Sequence, residues 1–227
     1  MILYLSFFIG FVQAEITNDP INDYEKMEIE GWTVKVNKEL LEEDNENGKK
    51  AIKILSVKLY EITRVVPEVA LAKLKELTLW VDVDLRGPAA TEFYPTRESA
   101  LENGFLADKE NGVEFRARRF VSWSKTQPGI VMHELAHAYH GIVIGYDESR
   151  IKTAYENAKT SGIYDSVLKY RGGPGPAYGM LNHREYFAES SEAYFVTNDF
   201  YPFVRTELKE HDPEIHKLLK LFWSGRE

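Results

Sequence analysis

The chain has 227 residues, 44% hydrophobic and 13% aromatic, with a formal net charge of −8 at neutral pH. A chain of this length buries roughly 70% of the surface its unfolded form exposes, so it folds without staples, and its composition excludes a disordered chain. The acidic balance, with no contiguous basic stripe, excludes nucleic acid as the expected partner; the absence of cysteine leaves histidine and carboxylate as the metal ligands available.

Residues 1–14, MILYLSFFIGFVQA, are apolar and uncharged and end on Val12-Gln13-Ala14, a pattern that fits a signal cleavage site. The run is too short to span a bilayer as a helix, so no stable membrane insertion is expected. A secreted protein is the expectation, and a buried N-terminal strand or a misplaced start is the alternative. No internal repeat or long linker divides 15–227, which reads as one domain.

Residues 15 to about 24 are polar and irregular. GWTVKV (31–36) alternates as a strand does, and EEDNENG (42–48) is an acidic turn. Across 49–66, Ile52, Leu55, Leu59 and Ile62 recur at helical spacing, and Pro67 opens a second helix. LTLWVDV (77–83) is a strand ended by Gly87-Pro88, and GVEFRARRFVS (112–122) is another. Pro128 precedes the helix GIVMHELAHAYHGIVIG, closed by Gly145. One more helix lies within 146–170, and RGGPGPAYG (171–179) is a loop. Residues 183–197 form a helix, and Asp212 and Pro213 cap and open the last one. Strands early and helices late imply an α+β domain, with a small mixed sheet packed on a mainly helical C-terminal half.

The chemistry concentrates in HELAHAYH (133–140). His133 and His137 are four apart, so on a helix they share a face and reach one ion at about 2 Å. Glu134, beside them, can take a proton from water at that ion. This is the HExxH zinc-hydrolase pattern. Histidines and a glutamate without a partner would be costly on so apolar a helix. His140 is excluded as a third ligand, because helix rise separates its backbone from that of His133 by roughly 10 Å. The three-histidine metzincin pattern also fails: Val143 stands where its last histidine belongs, and His140 occupies its glycine position.

A third ligand must come from elsewhere. In NHREYFAESSEAYF (182–195), Glu185, Glu189 and Glu192 fall at i, i+4 and i+7, so one face carries three carboxylates. Like charges so placed repel by a few tenths of a kcal/mol per pair, and a nearby Zn²⁺ converts the repulsion to attraction. The acidic face therefore reads as one that looks at a metal. Glu156, nineteen residues after His137, ranks below Glu185, and His183 is a weaker rival.

The segment YGMLNHREYFAE (178–189) together with HExxH resembles the lethal-factor-like zinc metallopeptidases. The resemblance covers about 130–145 and 178–196 and implies a zincin-like fold. It makes Glu185 the third zinc ligand, Glu134 the general base and Tyr178 the catalytic tyrosine. Glu189 would orient a ligand histidine. The family's glycine next to the second histidine is absent here, where Leu135-Ala136 stands.

A zinc-dependent endopeptidase acting on a peptide or protein is the leading reading. A catalytically inactive binding module that keeps the fold, or a metal-dependent amidase on small substrates, are the alternatives. Glu134 argues against the inactive module. Tyr178 would stabilise the oxyanion, reaching the metal when the glycine-rich loop closes over substrate; a passive surface loop is the alternative. The 112–122 strand would align a substrate by backbone pairing, with Arg116, Arg118 and Arg119 favouring acidic residues; a solvated strand face is the alternative.

Overall fold

The computed structural model describes residues 21–83, 89–102 and 105–225. The expected signal segment and the Gly87-Pro88 stop lie outside the described residues. The chain opens with a hairpin of β1 (Tyr24–Ile29) and β2 (Trp32–Asn37), paired so that Ile29 faces Trp32 across a two-residue turn. Both turn residues, Glu30 at φ 52 and Gly31 at φ 87, take the left-handed backbone that matches the twist of the flanking strands. β1 follows the irregular polar stretch expected to about residue 24, and the sequence pattern assigns it no element. Its burial is shallow: Met27 and Ile29 pack against the core and the Tyr24 ring meets buried Trp80 edge-on, while Glu25, Lys26 and Glu28 are exposed, so the strand is an outer one.

Asn45 caps α1 (Glu46–Thr63) by accepting from Gly48 N, and buries Ala51, Leu55, Leu59 and Ile62 on one face. Full burial of each large aliphatic contributes about 1.5–3 kcal/mol. α2 (Glu68–Leu74) follows, then β3 (Thr78–Asp82), β4 (Thr91–Tyr94), α3 (Arg97–Glu102) and β5 (Gly112–Arg116). The sheet order is β1-β2-β3-β5-β4. β2, β3 and β5 run parallel, and the two outer strands are antiparallel to their neighbours. The expected early mixed sheet is therefore present.

The stretch read as one strand, 112–122, is corrected to two elements: β5 ends at Arg116 and α4 (Ala117–Trp123) takes over. The period changes there, since Ala117 and Phe120, three apart, are the buried positions of the helix. β5 is also an interior strand. Among the described residues the sheet edge on that side is β4, which the sequence pattern left unassigned. The arginine expectation changes with it. Arg116 is 1% exposed and donates from Nε to Glu114 Oε1 at 2.9 Å and from Nη2 to Glu92 Oε2 at 3.2 Å. It is neither a solvated residue nor one open to a substrate. Buried Lys109 completes the network, 2.7 Å from Asp82 Oδ2 and 2.6 Å from Glu114 Oε2. Buried charges require such partners. Arg118 is exposed, but on α4 rather than a strand.

The second half is helical: α5 (Ile130–Tyr139), α6 (Ser149–Ser161), α7 (His183–Phe195), α8 (Arg205–His211) and α9 (Pro213–Trp223). A two-residue ladder, β6 (Val167–Leu168) with β7 (Pro174–Gly175), and a bridge between Lys169 and Phe200 interrupt it. α5 widens into a π turn at His140–Ile144 and stops at Gly145, whose φ of 91 suits glycine. Asp212 caps α9 through Ile215 N, with Pro213 in its first turn as the sequence implies. α9 closes over α5 through the stack of Trp223 on Tyr139, ring centroids 4.1 Å apart. Among the described residues no helix is long and apolar enough to cross a membrane.

Candidate metal centre

α5 and α7 pack together, and their contact builds the centre. Spacing by four puts His133 and His137 on one face of α5. Asn182 caps α7 by accepting from Arg184 N and Glu185 N, which sets Glu185 in the first turn. The three side chains converge. His133 Nε2 and His137 Nε2 are 3.1 Å apart, and Glu185 Oε2 lies 3.1 Å from the first and 3.2 Å from the second. Ligands at about 2.0–2.1 Å from a tetrahedral Zn²⁺ sit about 3.3 Å from one another. The donor triangle is nearly equilateral and close to that size. Donor set and geometry both fit zinc, and water or substrate would take the fourth position.

Neither rival joins the cluster. Glu156 is exposed on α6, and His183 Nε2 bonds the carbonyl oxygen of Tyr146 at 3.0 Å. His140 is fully buried against Phe187 and Tyr146, with neither ring nitrogen hydrogen-bonded. Burial first, and then the neighbouring cations, push its pKa down to about 3, so it stays neutral as a packing residue.

All three acids of α7 approach His133, but unequally. Glu192 Oε1 lies 2.7 Å from His133 Nδ1, whereas Glu189 Oε1 is 3.7 Å away. The orienting contact expected of Glu189 is therefore made by Glu192, one turn further on. A carboxylate at Nδ1 fixes the ring and its tautomer, leaving the Nε2 lone pair for a metal. Gly129, at the start of α5, gives Glu192 its room: a Cβ there would stand 2.0 Å from Glu192 Oε2. Burial favours neutral His133, yet bonds to Glu185 and Glu192 outweigh it and hold the pKa well above the ordinary value. Burial also raises Glu185, but the two histidines overcome it and keep this carboxylate ionised. Burial lifts Glu192 to about 7, despite its bond from His133.

Glu134 lies beside the triad, 7% exposed, and its Oε1 accepts from Thr91 Oγ1 at 2.7 Å. Tyr178, in a short 3₁₀ turn, has its ring centroid 6.3 Å from that of His133 and is 44% exposed. Burial and the nearby acids raise its pKa, so it keeps the proton it would donate. His133, Glu134, Tyr178, Thr91, Ile130 and Trp123 all line one cavity of about 730 Å³. No family model, curated protein or solved structure matches the chain. Sequence reasoning missed Thr91 and Gly129, since a threonine on a short strand and a glycine before a helix carry no distinctive pattern.

Proposed function

We propose that the protein is a zinc-dependent endopeptidase, with the zincin-like fold that its motifs imply. The observation that carries this is the triangle of His133, His137 and Glu185, with Glu134 beside it. The three donors close to the edge length of a zinc tetrahedron, from residues 48 and 52 positions apart across two helices. A bound Zn²⁺ would supply Lewis acidity to water and to the substrate carbonyl. Glu134 then takes a proton from the attacking water and returns it to the leaving amine. Tyr178, which lines the same cavity, donates to the developing oxyanion. The lethal-factor-like motifs assign the same roles to the same residues. The cavity reaches Thr91 on edge strand β4, which supports an extended peptide over a small amide. The apolar 1–14 segment adds secretion to the proposal.

Zinc content and hydrolysis of a library of quenched fluorescent peptides test the reading on wild type, Glu134→Gln and Glu185→Ala. Glu134→Gln is expected to keep zinc and lose about 10²–10⁴ in rate. Glu185→Ala is expected to lose zinc. Full activity in Glu134→Gln, or full zinc occupancy in Glu185→Ala, overturns the proposal.

A further inference from the structure

The sheet edge and the base are joined by one residue. Arg116 N donates to Ala90 O at 2.8 Å, and Asn111 N donates to Tyr94 O at 2.8 Å. Ala90, Glu92 and Tyr94 thus turn their backbone groups toward β5. Backbone direction alternates along an antiparallel strand, so Thr91 and Phe93 turn theirs to the opposite side, the edge of the sheet. Side chains alternate independently, across the faces. The Thr91 side chain faces α5, where its hydroxyl donates 2.7 Å to Glu134 Oε1. Both residues are buried, Thr91 at 8% and Glu134 at 7% exposure. The bond also crosses between elements, from β4 to α5, so it ties the position of one to the other.

We propose that Thr91 is the positioning residue for Glu134, holding the base in register with a peptide paired to the edge of β4. The inference rests on the endopeptidase reading. With Oε1 bound to Thr91, the carboxylate of Glu134 cannot spin, and Oε2 is left to accept the proton of the attacking water. The backbone N–H and C=O of Thr91 face the side from which a substrate strand would pair. A peptide docked there is aligned by the same residue that aligns the base, so the scissile carbonyl and the proton acceptor share one reference point.

The network behind β4 supports this rigidity. Arg116 Nη1 donates to Ala89 O at 2.8 Å, and its Nη2 reaches Glu92. Both sides of Thr91 along the chain are therefore fastened to a buried guanidinium.

Two measurements test the inference. In the metal-free protein, urea unfolding of Thr91→Val, Glu134→Ala and the double variant should be non-additive, because each single change removes the same bond. In the zinc-loaded protein, Thr91→Val keeps the shape and loses the hydroxyl. It should lower kcat on the peptide library by about tenfold to a hundredfold, the scale of a misplaced catalytic group, with KM and zinc content unchanged. Thr91→Ser, which restores the hydroxyl, should recover most of the rate. Additive stabilities, or a Thr91→Val enzyme with wild-type kcat, overturn the inference. Wild type that holds zinc and cleaves no peptide overturns the endopeptidase reading instead, and the metal-free cycle still decides whether Thr91 holds Glu134.

Discussion

Gly129→Ala should weaken zinc binding without adding or removing a ligand. Gly129 has φ −90 and ψ 1, a backbone other residues adopt, so glycine is there for space. A Cβ would stand 2.0 Å from Glu192 Oε2, 2.7 Å from its Cδ and 2.8 Å from its Cγ. Ordinary contacts need about 3.5 Å, so the carboxylate must retreat by more than about 1 Å. That retreat breaks the 2.7 Å contact at His133 Nδ1. Losing the partner that orients a ligand histidine costs about tenfold to a hundredfold in metal affinity, or about 1.4–2.8 kcal/mol. Competition against a chromophoric chelator reads the zinc Kd directly. Glu192→Ala should weaken binding to a similar degree, and adding Gly129→Ala to it should do no further harm, because the clash is gone. Wild-type affinity in Gly129→Ala refutes the reasoning, and a double variant much weaker than Glu192→Ala shows that the alanine acts through the helix start instead.

Three other outcomes follow from the same geometry. Tyr178→Phe should retain zinc and lose about a hundredfold in kcat, the usual cost of one oxyanion donor, as measured on cleaved peptide; unchanged kcat removes Tyr178 from the chemistry. His140 has its folded pKa pushed down to about 3, by burial first. The unfolded chain, with an ordinary pKa near 6.5, therefore binds a proton that the folded one refuses. Wild type should thus lose stability relative to His140→Phe as pH falls below about 6.5, by about 1.4 kcal/mol per unit, levelling off near pH 3; parallel curves from urea melts contradict this. Lys109→Met leaves Asp82 and Glu114 without their shared buried cation. It should cost about 3–5 kcal/mol of unfolding free energy, and a loss under about 1 kcal/mol means that the network is wetter than its burial implies.

Much of the fold follows from local pattern. Leu55, Leu59 and Ile62 mark α1 by their spacing, and Asp212-Pro213 marks the start of α9. The change of element at Arg116 does not show in the sequence, because Phe115, Ala117 and Phe120 serve a strand or a helix equally well. In the fold, Arg116 ends β5 against Glu92 and Glu114 on two strands, and Ala117 and Phe120 then bury one face of α4. β4 was invisible for a related reason: four residues are too few for a period to declare itself, and its strand state comes from pairing with β5.

The site divides along the same line. Spacing within one helix is local geometry, so His133, Glu134 and His137 on α5, and the three acids on α7, could be placed from the sequence alone. Which acid meets which atom depends on how α7 lies against α5, and no local rule contains that. Packing gives Glu185 to the two histidine Nε2 atoms and Glu192 to His133 Nδ1, and leaves Glu189 at 3.7 Å. It also brings Thr91 to Glu134 from 43 residues away and makes Gly129 the room that Glu192 needs. Covalent spacing determines which residues share a face, and only the burial of one face against another determines which of them touch.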